Sequence, residues 1–314
     1  MSAREPSPSP DPGSRLARTE ARLRATEAEL RNAEAELRRA IEERDALSRA
    51  LDEVQRQHLL ATDRLRSDLA LAREIQKSLL PEPAPEWDGL ELRCHSRPAL
   101  EIGGDFFTYN ASTNAKVLLS KYVLAVGDAS GKGVSAALLM AAALGCFDAS
   151  FSKPFGPAER LAHLDKAIMP FTKPRRQSCA LCCVEIVGVN TVRPVLRVAN
   201  AGCIPPYLKH GDGSVEWIHA AGPPLGLGLG ARSGYRELSL RLDKGDMIVL
   251  TSDGVVEARD GSDELFGFDR LEEAIVAGPS SSPQAMLDHL ELALAGFLDG
   301  REPHDDVTVA VLRL

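Results

Sequence analysis

The sequence predicts an α+β protein in which one long helix precedes a strand-rich domain. Three observations support this: a heptad repeat free of Pro and Gly over residues 14–80, short β-branched and apolar runs after Trp87, and three longer apolar stretches of helical length. The chain has 314 residues, of which 44% are hydrophobic, enough for one large core. We predict a tail at 1–13, a helix at 14–80 and a single domain at 87–314.

The N-terminal region has two parts. Residues 1–13 are rich in Pro and Ser with little to bury, so they are expected to be disordered. From Ser14 onward leucines recur every seven residues, and the same phase continues to residue 79, until the prolines at 81, 83 and 85 end the helix. The heptads predict a coiled coil that forms a homodimer. Beyond Leu65 the apolar stripe broadens, which predicts packing on another surface and a route for an upstream regulator to act on the domain.

The domain that follows alternates strands and helices. Predicted strands are 123–126, 179–187, 195–199, 236–242, 247–251 and 307–312, and predicted helices are 135–146, 157–168 and 283–297.

Charge and composition exclude several classes of protein. The net charge is −8, all of it contributed by residues 81–314, which argues against nucleic acid or anionic lipid as the main partner. Six cysteines without an N-terminal apolar segment predict a cytoplasmic location, and we expect no membrane span. The C-x-x-C spacing that begins at Cys179 lies in a predicted buried strand, so we interpret it as core packing rather than a zinc or redox site.

Aspartates recur where predicted strands end. They follow or precede glycine at Asp105, Asp128 and Asp253, and two more stand together at Asp305 and Asp306. Any one of these is ordinary turn chemistry, but several converging carboxylates repel one another unless cations neutralise them. An all-oxygen ligand set predicts Mg²⁺ or Mn²⁺.

Several ordered motifs resemble one known family, the metal-dependent protein phosphatases of the PPM (type 2C) superfamily in the SpoIIE/RsbU-type branch. The matching segments, together with the helical linker 71–81 (LAREIQKSLLP), are 97–99 (RPA), 102–107 (IGGDFF), 126–138 (VGDASGKGVSAAL), 200–206 (NAGCIPP), 222–226 (GPPLG), 245–258 (GDMIVLTSDGVVEA) and 305–308 (DDVT). The resemblance covers about residues 70–314. It implies an αββα sandwich with two metal ions, Mn²⁺ or Mg²⁺, between the sheets.

The resemblance also implies roles for individual residues. Asp128 would bridge both metal ions with the Ala129 carbonyl as a further ligand, Asp105 would bind one ion, and Asp253 and Asp305 the other. Asp306 is the less favoured member of its pair. The two metals would generate a bridging hydroxide that attacks phosphorus in line, so Asp128, Asp105 and Asp253 are the expected catalytic residues.

The function implied is that of a phosphoserine/phosphothreonine protein phosphatase acting on a STAS-domain anti-sigma antagonist in a partner-switching pathway. The alternative is a coiled-coil regulatory scaffold whose phosphatase-like domain binds partners without turnover. The sequence departs from many relatives at Lys132 and Cys203, where histidine is common. Lys132 and Arg97 could contact phosphate, or could be a solvated loop lysine and a structural arginine.

Overall fold

The computed structural model describes residues 12–114 and 119–314. The predicted disordered tail lies outside the described residues except for Pro12 and Gly13, which already belong to the first helix. The helices are α1 (Pro12–Leu79), α2 (Val134–Ala149), α3 (Pro157–Thr172), α4 (Gly230–Ser233), α5 (Asp253–Val256), α6 (Gly267–Ala277) and α7 (Pro283–Leu298). The strands are β1 (Glu91–Arg97), β2 (Asp105–Asn114), β3 (Leu119–Ala129), β4 (Cys179–Val187), β5 (Val195–Ala201), β6 (Tyr207–Lys209), β7 (Val215–Trp217), β8 (Glu237–Arg241), β9 (Met247–Thr251) and β10 (Val307–Arg313).

The chain divides into two compact units, residues 1–68 and residues 69–314. The described part of the first unit is helical throughout, as the absence of Pro and Gly from residue 14 predicts. Its heptad leucines are exposed, with Leu16, Leu23, Leu30 and Leu37 each about three-fifths accessible or more. The apolar stripe of the first unit is therefore open to a partner.

The second unit is an αββα sandwich, which confirms the fold that the resemblance implies. One antiparallel sheet has the order β1-β10-β9-β6-β7, and the other has the order β2-β3-β4-β5-β8. A core that includes Leu92, Leu124 and Leu250 fills the space between the sheets. The helices α2 and α3 cover the β2 sheet through residues such as Phe147 and Leu161, and α6 and α7 cover the β9 sheet.

The predicted strands and helices are all present, with ends that differ by a few residues. The prediction missed β1, β2, β6 and β7, and the helices α4, α5 and α6. The strands β6 and β7 have three residues each and α4 and α5 have four, too few to show a period. Helix α6 did carry a signal, because its two buried residues, Leu271 and Ile275, are four positions apart.

The last turns of α1, from Leu69 onward, belong to the second unit and bury only one face. Leu69, Ala72, Gln76 and Leu80 are half-buried, whereas Leu71, Ile75 and Leu79 are exposed. The broadened stripe beyond Leu65 thus divides between two faces, and packing on the domain accounts for only one of them.

One core helix of the domain is as long and apolar as a membrane span. Among the described residues, the segment Val134–Ser152 is long and apolar enough to cross a membrane. Most of this segment is helix α2, whose residues Ala136, Met140, Ala143 and Phe147 are buried against the β2 sheet. A core helix of a sandwich passes the same test of length and composition.

Candidate active site

Asp105 and Asp128 face each other at one end of the β2–β3 hairpin. They are direct partners in the antiparallel register, because Asp105 opens β2 and Asp128 is the penultimate residue of β3. Asp105 is only 6% exposed, and neither of its carboxylate oxygens has a hydrogen-bond partner among the residues that the structure describes. A buried carboxylate without partners is costly as an anion. The site therefore contains negative charge that the protein itself leaves unsatisfied.

The carboxylates of the site raise one another's pKa. Burial and the Asp128 carboxylate raise the pKa of Asp105 well above its usual range, which the nearby hydroxyls of Ser252 and Thr308 only partly offset. Burial raises the pKa of Asp128 to about 7, and the charges of Asp253 and Asp305 add to this effect. Asp128 lies on one sheet and the other two lie on loops of the other sheet, so the carboxylates meet across the cleft between the sheets.

Asp253 begins the short helix α5, and Asp305 lies just before β10. Desolvation raises the pKa of Asp253, followed by the charges of Glu257 and Asp305. The backbone of Gly254 approaches the start of β10 so closely that a Cβ there would lie 1.9 Å from the Asp306 carbonyl oxygen. Glycine at 254 thus allows the two acidic loops of this sheet to lie side by side.

Asp306 has a different role from its neighbour. Its carboxylate accepts hydrogen bonds from the backbone N–H groups of Gly104 at 2.6 Å, Ala99 at 2.8 Å and Asp105 at 3.4 Å. A Cβ on Gly103 would lie 2.2 Å from Asp306 Oδ2, so the loop can approach only as glycine. Asp306 therefore fixes the loop that carries Asp105, and its oxygens are already occupied.

The backbone at Ala129 is held equally closely. The Ala129 N–H donates to the Gly104 carbonyl at 3.1 Å, and a Cβ on Gly104 would lie 2.4 Å from the Ala129 carbonyl oxygen. The Ala129 oxygen thus sits beside the backbone that leads into Asp105.

The predicted aspartates lie in one cleft, but they are not close enough together to surround a metal ion. Among residues 12–114 and 119–314, no group of three or more His, Cys, Asp or Glu side chains is gathered tightly enough to hold a metal ion as it stands. The donor set nevertheless fits a hard divalent cation, because it consists of carboxylate and carbonyl oxygens and includes two orphaned oxygens on Asp105.

A family model described as stage II sporulation protein E (SpoIIE) matches residues 120–314. The chain belongs to the SpoIIE family. Phosphatases of the SpoIIE family belong to the metal-dependent PPM superfamily. The chain is a PPM-type protein-serine/threonine phosphatase. Asp105 precedes the matched residues, so its place in the site rests on its pairing with Asp128.

Individual relatives agree with the family. The chain is 28% identical over 250 residues to phosphoserine phosphatase RsbU of Bacillus subtilis (strain 168), covering 79% of this chain and 70% of RsbU. The SiaA PP2C domain of Pseudomonas aeruginosa has the same fold, with a TM-score of 0.65, 22% identity, and coverage of 81% of this chain and 98% of that one. The RsbU and RsbW domains of Rv1364c from Mycobacterium tuberculosis align with a TM-score of 0.54, 25% identity, and coverage of 74% and 60%.

Lys132 and Cys203, the two positions that depart from the SpoIIE-type motifs, have different surroundings in the structure. Lys132 is exposed in the loop before α2, its Nζ lies 3.1 Å from an Asp305 carboxylate oxygen, and it donates to the His304 carbonyl at 2.6 Å, so this loop lysine pairs with one of the site aspartates. Cys203 lies against β3 with its Sγ 3.6 Å from the Val126 carbonyl, and burial raises its pKa well above the usual range. Cys203 is a packing residue. Arg97 pairs with Glu302.

Sequence reasoning missed one residue that shapes the site. Gln76 in the last turn but one of α1 makes two hydrogen bonds to Gly103, donating to its carbonyl at 2.7 Å and accepting from its N–H at 3.1 Å. This amide clamps the loop that carries Asp105. The motif 71–81 contained Gln76, but nothing in its spacing shows which side chain reaches the loop.

The elevated pKa of Asp128 predicts how the stability of the metal-free protein depends on pH. The pKa of this carboxyl is 3.8 ordinarily and about 7 in the fold, so across this interval the folded state holds a proton that the unfolded state has released. The contribution of Asp128 to the free energy of unfolding is then fully present below about pH 4 and is lost as pH rises through about 7. In EDTA, we expect the urea midpoint to be roughly 1 M lower near pH 7.5 than near pH 5. Asp128→Asn should flatten this slope; an equal slope in both proteins would contradict the assignment.

Proposed function

We propose that the chain hydrolyses phosphoserine or phosphothreonine in a protein substrate, with two divalent ions, Mn²⁺ or Mg²⁺, held by Asp105, Asp128, Asp253, Asp305 and the Ala129 carbonyl. The observation that carries this proposal is Asp105, a buried carboxylate whose two oxygens accept no hydrogen bond within the described part of the chain. Several carboxylates that raise one another's pKa provide the anionic set that divalent cations would neutralise.

When bound, two divalent ions supply positive charge that activates water for attack and stabilises the phosphoryl oxygens. The chain's own residues keep the carboxylates in place before the ions arrive. Asp306 and Gln76 fix the backbone of the loop before Asp105, and Gly254 lets the Asp253 and Asp305 loops meet. Protons and cations compete for Asp128, since its pKa is about 7 without metal.

The substrate we propose is a phosphorylated STAS-domain protein of the anti-sigma antagonist type. The support comes from RsbU, named a phosphoserine phosphatase, and from Rv1364c, in which an RsbU domain and an RsbW domain occur in one protein. The alternative function, a scaffold without turnover, is disfavoured because all four aspartates are present and face one cleft. The six cysteines are free thiols, which supports the proposed cytoplasmic location.

The full chain should release phosphate from p-nitrophenyl phosphate and from a phosphorylated STAS domain when Mn²⁺ or Mg²⁺ is present. Excess EDTA should abolish both activities, and added metal should restore them. A protein that binds the phosphorylated STAS domain but releases no phosphate with either ion would support the scaffold instead.

We further propose that residues 14–80 form a homodimer and that an upstream regulator acts through this helix. The exposed leucines every seven residues support dimerisation, and the clamp from Gln76 to Gly103 gives the end of α1 a direct hold on the catalytic loop. Leu30→Glu with Leu37→Glu should reduce the mass in sedimentation from twice to once the 33.8 kDa chain. Ala28→Glu with Ala35→Glu, at exposed positions outside the stripe, should leave the dimer intact. Phosphatase activity measured on both variants tests coupling: a monomer with unchanged activity would contradict it.

A further inference from the structure

A basic pocket lies between the end of α3 and the loop 226–232 of an otherwise acidic domain. Its volume is about 650 Å³, and four cationic side chains line it: Lys166, Lys173, Arg176 and Arg232. All four are exposed, whereas residues 81–314 together carry a net charge of −8. The pocket therefore concentrates positive charge against the trend of the domain.

These four cations are available to a ligand. In the part of the chain that the structure describes, none of the ion pairs within 4.0 Å includes any of them. Asp165, which precedes Lys166 in the sequence, is buried and accepts from the backbone N–H groups of Gly226 at 2.7 Å and Gly228 at 3.2 Å. Asp165 thus fixes the wall of the pocket.

The loop that forms one wall of the pocket is held in place by its backbone conformation and by hydrogen bonds. Gly226 and Gly228 have φ values of +87° and +69°, which favour glycine, and the Thr172 hydroxyl donates to the Gly226 carbonyl at 2.7 Å. A bridge between Cys179 and Leu225 ties the same loop to the end of β4. An occupant would meet a shape that is largely formed in advance.

The pocket is joined to the candidate active site by hydrogen bonds. Gln177, which lines it, donates to the Ser130 carbonyl at 3.0 Å, and the Ser130 hydroxyl accepts from the Ser178 N–H at 2.8 Å. Ser130 follows Ala129 and Asp128 directly. A protein substrate whose phosphoserine lies at the aspartates can therefore place the residues that flank the phosphoserine in the basic pocket.

We infer that this pocket docks an acidic segment adjacent to the phosphoserine of the protein substrate; this rests on the proposed function. The pocket is the complement that an acidic peptide requires, and it lies outside the aspartate cleft. Docking there would favour phosphoserine in an acidic context over the same group in a neutral one, and the preference would weaken with salt.

The test uses two synthetic peptides that differ only in charge. Each carries one phosphoserine, flanked on both sides by three glutamates in the first peptide and by three glutamines in the second. With Mn²⁺ and low salt, we expect the KM of the wild-type protein to be about tenfold lower for the glutamate peptide, as several exposed ion pairs would give. Lys173→Glu with Arg176→Glu should remove this difference while p-nitrophenyl phosphate hydrolysis stays unchanged.

A matched control is Arg241→Glu with Lys244→Glu, an equal charge change at exposed residues outside the pocket, which should keep the preference. Equal KM values for the two peptides in the wild-type protein, or the same loss in both double variants, would overturn the inference. A single-stranded oligonucleotide of equal charge that competes as well as the glutamate peptide would also overturn it, in favour of general polyanion binding. If the wild-type protein releases no phosphate from p-nitrophenyl phosphate, the proposed function itself fails.

Discussion

Asp128→Asn is expected to lower the rate of p-nitrophenyl phosphate hydrolysis in Mn²⁺ by about 10³-fold or more. Asp128 pairs with Asp105 across the β2–β3 hairpin, and the charges of Asp253 and Asp305 raise its pKa. An amide of the same shape removes one negative charge from the cation site, and stabilisation by bound metal is worth several kcal/mol in such reactions. The fold should survive, because Asp128 is ionised only at a cost in the metal-free protein.

The measurement is an initial rate over a range of Mn²⁺ concentrations, together with calorimetric titration of Mn²⁺. The variant should show weaker metal binding as well as lower activity, which separates loss of the site from loss of substrate contact. Asp288→Asn is the matched control, because Asp288 is an exposed aspartate on α7 whose carboxylate accepts a hydrogen bond from Gln284 in its own helix. Equal rates for Asp128→Asn and wild type would rule out the two-metal assignment.

The sequence located the acidic residues of the site because each stands at the end of a recognisable strand or turn. Asp128 lies at the end of strand β3 and Asp253 comes just after strand β9. The apolar runs of both strands are recognisable in the sequence, and the glycines next to the two aspartates indicate close backbone approach. The pairing of Asp105 with Asp128 could not be predicted from the sequence. It depends on the register of β2, a strand that the sequence did not reveal.

The contacts that hold the site were beyond sequence reasoning because they join distant parts of the chain. Gln76 reaches Gly103 over 27 positions, and Asp306 reaches Gly104 over 202. Pattern and propensity report local structure, and such contacts exist only once the two sheets face each other. The same limit explains Lys132, whose partner Asp305 is close only in the folded domain.

The adjacent residues Asp305 and Asp306 should separate catalysis from stability. Asp306→Ala removes the acceptor for the backbone N–H groups of Ala99, Gly104 and Asp105, and the hydrogen bonds from Gly104 and Asp105 are buried. Leaving such donors unpaired, after loss of a hydrogen-bonded charge, costs about 3 kcal/mol or more of the free energy of unfolding. Asp305→Ala removes a half-buried carboxylate that pairs with Lys132 and accepts from the half-buried Asp306 N–H at 3.0 Å, so its cost should be smaller, about 1 kcal/mol.

Urea denaturation in EDTA measures both variants without the contribution of bound metal. We expect Asp306→Ala to shift the midpoint well below that of wild type, and Asp305→Ala to unfold close to wild type yet lose Mn²⁺-dependent hydrolysis. Asp306→Asn should lie between, because its amide keeps one acceptor oxygen but presents an N–H₂ group to a backbone donor. If Asp305→Ala were the destabilised variant and Asp306→Ala the stable, inactive one, the two aspartates would have exchanged roles: Asp306 would be the metal ligand, and the backbone clamp would be dispensable.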